Sequence, residues 1–176
     1  MSTTLIEARP LESPPGLRWR IDPARSSFEF RVKHFWGLVT VTGRFERFEG
    51  VLLFDERGAP HFQVTLDAAS LDTGKPRRDV HLRSADFFNV AASPVVRFTS
   101  TGLTAGENGI RVTGWLEAGA WVTTLDFEAK LRVDGDELEL QANALVDQRE
   151  LGMTWSPFGT VRTPATLVAR VRLEPA

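Results

Sequence analysis

Cysteine is absent from the 176-residue chain, and so is tyrosine. Without thiols there is no disulfide, no thiolate nucleophile and no thiolate metal site; the absence is silent about compartment, because a cysteine-free protein is stable in either redox environment. An excess of positive charge is missing too. Twenty-one Lys and Arg stand against 23 Asp and Glu, a formal net charge of −2, so no overall basic field steers the chain toward nucleic acid. No stretch approaches the roughly 20 apolar residues of a membrane-spanning helix, which excludes an integral membrane segment of that kind. The start of the chain lacks the apolar run of about 7–15 residues that a secretory signal needs. Leu5 and Ile6 are cut off at once by Glu7, Arg9 and Pro10. This predicts a loose, Pro-rich arm over residues 1–16, a single domain over 17–176 and a cytoplasmic protein.

Signatures of catalysis are also lacking. There is no Gly-x-Ser-x-Gly elbow and no Gly-rich phosphate loop, and the carboxylates are scattered over wet strand faces rather than paired in apolar surroundings. The three histidines, His34, His61 and His81, show no i/i+4 ligand spacing and have no carboxylate cluster beside them. No catalytic residue, metal or cofactor is expected.

What the chain does have is alternation. From Trp19 onward, apolar and polar residues exchange with period two, the mark of strands that bury one face and wet the other. Phe28, Phe30, Val32 and His34 share a face, as do Val39, Val41, Gly43 and Phe45; Phe62, Val64 and Leu66; Val96, Phe98 and Ser100; Ile110, Val112, Gly114 and Leu116; Leu125, Phe127, Ala129, Leu131 and Val133; Leu138, Leu140, Ala142, Ala144 and Val146; and Leu167, Ala169, Val171 and Leu173. Turn signals join consecutive runs, among them residues 106–109 and Asp134-Gly135. Eight to ten mostly antiparallel strands with short connections fit a sandwich or an up-and-down barrel, and the meander order favours an eight-stranded barrel. Twelve Phe and no Tyr suit a dry interior. A filled core and an apolar cavity fit this pattern equally; Gly43, Gly114, Ala129, Ala142, Ala144 and Ala169 are the small inward positions that would leave room.

One segment breaks the pattern. Ser70 to Phe88 holds Arg77, Arg78, Asp79, His81 and Arg83 within seven positions and closes on Phe87-Phe88. Asp72 or Thr73 as cap and Pro76 in the first turn predict a short helix near residues 75–83, a lid or collar on the barrel. Arg78 suits a phosphorylated or other anionic head, because the guanidinium fork matches phosphate oxygens; Asp79 reads as structural, and Arg77 and Arg83 as solvated.

The order Trp19-x-Ile21-Asp22, Ser26-Ser27-Phe28-x-Phe30-x-Val32-x-His34, Val41-x-Gly43-x-Phe45, Arg78-Asp79-x-His81-Leu82-x-Ser84-x-Asp86-Phe87-Phe88 and Pro94-x-Val96-x-Phe98-x-Ser100 resembles the YceI-like family. The resemblance is strong over roughly residues 19–103 and looser beyond. It departs at Leu116–Leu125, where members carry a threonine-rich strand and turn, and at Leu151, which replaces a phenylalanine. It implies a lipocalin-like, eight-stranded antiparallel barrel around an elongated apolar tunnel. It further implies binding of a polyisoprenoid or other long-chain amphiphile for transport, storage or sequestration, and association into homodimers. The expected ligand-binding residues are then Phe28, Phe30, Val32, His34, Phe45, Val64, Leu66, Arg78, His81, Phe87, Phe98, Leu116, Phe127 and Leu140. The competing expectation is a solidly packed protein–protein or stress-response module with no lipid.

Overall fold

The computed structural model describes residues 13–106, 109–161 and 164–176. Its strands are β1 (Arg18–Ile21), β2 (Ser27–His34), β3 (Val39–Phe45), β4 (Phe48–Phe54), β5 (Pro60–Asp67), β6 (Leu71–Asp72), β7 (Val95–Ala105), β8 (Ile110–Ala118), β9 (Trp121–Asp134), β10 (Glu137–Val146) and β11 (Ala165–Pro175), with one α-helix, α1 (Pro76–Arg83). These segments build eight staves. β1 and β2 run on as one kinked stave along β11, β3 and β4 as a second, and β5 and β6 as a third. The remaining five strands pair in chain order, and β11 closes back on β1 and β2. The result is a closed, eight-stranded antiparallel barrel with one short helix, as the alternation predicted.

The kinks have local causes. Between β1 and β2, Asp22 accepts a hydrogen bond from the Ala24 N–H (2.9 Å) and caps the short turn Pro23–Arg25. The other two kinks lie side by side and are tied together by Ser70. Its buried hydroxyl accepts from the Arg47 N–H (3.0 Å) and donates to the Asp67 carbonyl (2.6 Å). In β7 the register shifts between Ser100 and Gly102, so Ser100 and Leu103 both point inward. The buried Ser100 hydroxyl there accepts from the Phe62 N–H (2.8 Å), so that this N–H is paired at the bulge.

The topology fixes two unlike ends. Residues 55–59, Gly106, Gly109 and 135–136, together with residues 13–17 and the C-terminal Ala176, gather at one end. Of the predicted turn over 106–109, Glu107 and Asn108 lie outside the described residues. The predicted Asp134-Gly135 turn forms, with Gly135 in the left-handed region (φ +65°). This end is stopped by Trp19, whose ring packs edge-on against Phe54 (6.0 Å) and whose N–H donates to the Asp136 carbonyl (2.9 Å). Leu173, fully buried, packs beneath it. The Asp55 carboxylate holds the neighbouring turn by accepting from His61 (3.0 Å) and from the Arg57 and Ala59 N–H groups, which lowers its pKa to about 2. Of the predicted 1–16 arm, residues 1–12 lie outside the described residues. Ser13 and Gly16 bond to the Gly58 and Phe54 carbonyls.

Two inward glycines correct the sequence expectation. Gly43 and Gly114 do not leave room. The Phe30 ring lies where a Gly43 Cβ would be, and the Phe98 ring where a Gly114 Cβ would be. Each glycine is a seat that lets an aromatic ring lie flat on the barrel wall. Gly43→Ala is therefore expected to destabilise the barrel by about 1–3 kcal/mol through overpacking, read as a lowered urea midpoint at unchanged m-value.

Candidate ligand chamber

The helix end of the barrel is open. Residues 35–38, 73–94, 119–120 and 147–161 surround it, and beneath them lies a cavity of about 460 Å³. A second void of about 120 Å³ lies deeper. Phe45, Leu66, Leu116 and Leu167 line both, so they form a neck between an upper chamber and a lower pocket. The single elongated tunnel expected from the resemblance is thus divided. Below the neck, the rings pair as Phe28–Phe48 (4.9 Å) and Phe98–Phe127 (5.9 Å).

The fourteen candidate residues divide at the same neck. Phe30, Val32, His34, Phe45, Leu66, Arg78, His81, Phe87 and Leu116 line the upper chamber. Phe28, Val64, Phe98, Phe127 and Leu140 line only the lower pocket. Residues that sequence reasoning passed over complete the upper wall. Phe88 packs on Phe30 (6.0 Å) and edge-on to Phe45 (5.7 Å), reaching into the barrel where only an anchor was expected. Val41, Val146 and Ala165 extend the wall, and Gln148, Leu151, Met153 and Trp155 roof it from the segment after β10. Period-two patterning had no means of finding that roof, because those residues are not in strands. Gln148 is buried and accepts a hydrogen bond from the Ala165 N–H (3.1 Å).

The helix is held differently from its predicted capping. Lys75 occupies the N-cap position and makes no side-chain cap. Asp72 instead accepts from the Gly74 N–H (2.7 Å). The cap is replaced by Asp79, buried within the helix, which reaches back to accept from the Thr73 N–H (3.0 Å) and hydroxyl. This is the structural role expected of Asp79. Arg78 donates through Nε to the Thr73 hydroxyl (2.8 Å) and through Nη2 to the Thr73 carbonyl (2.9 Å), which fixes its guanidinium at the chamber wall. Arg83 is not solvated, contrary to expectation. It is partly buried and donates to the Leu71 carbonyl, bracing the helix against β6. Arg77 is exposed, as expected, and also lines the mouth.

Electrostatically the chamber is one-sided. Among the described residues its lining contains two formally charged side chains, Arg77 and Arg78, and no carboxylate. His34 and His81 also face it. His81 sits edge-on between Phe87 (5.2 Å) and Trp155 (4.4 Å), with Nε2 3.2 Å from an Asp86 oxygen. The pKa of His34 is lowered from 6.5, chiefly by burial and secondarily by the nearby Arg78 charge. The fold therefore favours the neutral imidazole. Between the unfolded value of 6.5 and the lower folded value, the unfolded chain binds more protons than the barrel. Stability should fall as pH drops through this window, and be fully present above it. In Arg78→Ala, NMR titration should move the His34 pKa back up, but short of 6.5 because burial remains. His61 is at the far end, and no group of three metal-ligating side chains occurs among the described residues.

A closed antiparallel barrel with an apolar chamber open at one end is a lipocalin-like barrel. The chain belongs to the YceI-like family: the YceI-like domain matches residues 19–174. It is 39% identical over 111 residues to a UPF0312 protein of Pseudomonas aeruginosa (strain LESB58), a match that takes in 62% of this chain and 58% of that protein. The chain thus spans just over half the length of the curated relatives it matches. The structure of Burkholderia cenocepacia BcnA superposes with a TM-score of 0.77, over 86% of this chain and 98% of BcnA, at 21% identity. A polyisoprenoid binding domain from Saccharophagus degradans, implicated in plant cell wall breakdown, superposes with a TM-score of 0.74, over 91% and 99%, at 18% identity. Likenesses at such identities speak for the fold alone.

Proposed function

We propose that this protein carries a long-chain amphiphile, a polyisoprenoid or similar lipid, with the tail in the upper chamber and an anionic head at Arg77 and Arg78. The role is transport, storage or sequestration, without covalent chemistry. One observation carries the proposal: a roughly 460 Å³ apolar chamber whose formally charged lining residues, among the described residues, are two arginines at its open end. Its volume lies within the range of about 300–1,000 Å³ usual for ligand sites. A filled core accounts for the lower half of the barrel and not for the upper. The name of the Saccharophagus degradans neighbour supports an isoprenoid tail. The cytoplasmic placement rests on residues 5–10, outside the described residues, and is tested by fractionating the native host.

Tail burial contributes about 0.8 kcal/mol per methylene before ordering costs, so affinity should climb with chain length until the chamber fills at the neck. The head should add a charge-assisted contribution of about 1.5–3 kcal/mol. The test is organic extraction and native mass spectrometry of protein from its own host, followed by titration with a prenyl diphosphate and the prenol of equal length. A co-purifying lipid, and binding of both compounds with preference for the diphosphate, are expected. Arg78→Ala should weaken the diphosphate roughly tenfold or more and the prenol far less. An empty protein that binds neither compound would sink the proposal.

A further inference from the structure

Fourteen large apolar side chains are exposed among the described residues, and eleven of them sit at the mouth end. Leu17 and Val133 lie at the closed end, and Trp115 on the barrel's side. The most prominent stand at the tips of two separate connections flanking the mouth. Trp36 (67% exposed) and Leu38 (86%) occupy the turn between β2 and β3, beside Phe35. Phe158 (99%) lies three residues beyond Trp155 in the segment between β10 and β11. Phe35 and Trp155 are exposed and also line the chamber, so the apolar rim is continuous with the cavity wall.

The backbone at these tips is unusual. Of four non-glycine residues with positive φ among the described residues, three are Phe35 (+48°), Trp36 (+54°) and Phe158 (+53°); the fourth is Asn89. The left-handed region suits Gly and Asn and disfavours bulky side chains. The chain therefore holds three aromatic rings in an unfavourable conformation, with Phe35 and Trp36 more than half exposed and Phe158 almost wholly so. Packing within the barrel gives no reason for this.

Charge at the same end narrows the partner. Lys33, Lys75 and Arg77 form no ion pair among the described residues. The nearby acids are mostly engaged: Asp79 by Thr73, Asp86 by His81, Asp147 by Arg149 and Glu150 by Thr123, while Glu117 faces Arg97 across the β7–β8 ladder. Aromatic and aliphatic tips flanked by free cations are the composition that enters the headgroup layer of a membrane and meets anionic lipid there. The geometry points to this rim as a docking surface for an anionic lipid bilayer, with the chamber mouth held against the membrane. A symmetric pairing of two copies through this end would set the free cations against one another, which disfavours self-association. Single protruding tips around an open mouth also suit a fluid headgroup layer better than a flat protein face. The consequence for loading rests on the carrier function proposed above: the tail would pass between bilayer and chamber without crossing bulk water. Docking itself does not require a bound ligand.

The test uses the full chain, without added ligand, in co-sedimentation with phosphatidylglycerol–phosphatidylcholine vesicles and with phosphatidylcholine vesicles alone. Binding to the mixed vesicles, reduced at least tenfold on those of phosphatidylcholine alone, is expected. The triple variant Trp36→Asn, Leu38→Ser, Phe158→Asn should lose at least tenfold on the mixed vesicles. Asparagine tolerates the left-handed backbone, so thermal stability should be unchanged or raised, and lost binding cannot be assigned to unfolding. Val133→Ser at the closed end should change nothing. Prenol titration of the triple variant in vesicle-free solution reads the chamber separately; retained prenol binding with lost vesicle binding is the supporting result. No vesicle binding by the parent protein would overturn the docking surface. So would equal binding to both vesicle types, or a concentration-dependent dimer in sedimentation velocity that the triple variant abolishes while vesicle binding is unaffected. None of these three overturning results bears on whether the chamber takes a lipid tail.

Discussion

Val41→Trp is expected to abolish tight binding of a long prenyl or acyl chain while leaving the barrel folded. Val41 lies on β3 between Val39 and the Gly43 seat, and its side chain faces the upper chamber. An indole there enters empty space, so the strain that overpacking imposes on a filled core should be small, and stability should stay within about 1 kcal/mol of the parent. The tail loses that space. Excluding three or four methylenes at about 0.8 kcal/mol each removes on the order of 3 kcal/mol, roughly a hundredfold in affinity. Calorimetric titration with a series of prenols reads this directly, and short members should be affected least. Unchanged affinity across the series would place the tail somewhere other than the upper chamber.

Leu173→Ala should show the opposite pattern. Leu173 is fully buried at the closed end, paired across the sheet with Ile21 and Leu138. Truncation leaves a void that the Trp19 plug and the surrounding strands can only partly fill. A loss of about 3 kcal/mol is expected, a substantial share of the roughly 5–15 kcal/mol by which a domain is stable. For a chain of this length that corresponds to a fall in Tm of about 6–12 °C. Below that temperature, ligand affinity should match the parent, because the neck of Phe45, Leu66, Leu116 and Leu167 separates the closed end from the chamber. The two variants together divide the barrel into a half that holds it together and a half that stays open.

Much of this was legible in the sequence. The faces read from alternation coincide with the inward faces of the staves, except at Val133, which is exposed where β9 runs past the closed end, because strand side chains alternate strictly and one face must be dry. Asp79 as a structural residue, the helix near residues 75–83 and Arg78 at the mouth were legible from local chemistry. Three things were not. The shift at Ser100 hides in a continuous polar–apolar run, since a bulge changes phase without changing composition. Arg83 reads as a surface cation in sequence, but the carbonyl it bonds belongs to Leu71, twelve residues away. The roof from Gln148 to Trp155 has no periodicity, so its place over the chamber depends on where the ends of β10 and β11 leave it.

The sequence by itself determined the class of fold and which side chains face inward, because both follow from period-two patterning and short connections, which act between near neighbours. Whether that interior was filled or open was decided only in the tertiary structure. Gly43 and Gly114 suggest space, yet aromatic rings lie over both; the open volume instead lies at the helix end, where the staves are capped by loops and a helix rather than by a plug such as Trp19. Volume is a property of how distant side chains meet, and no pattern along one chain records it.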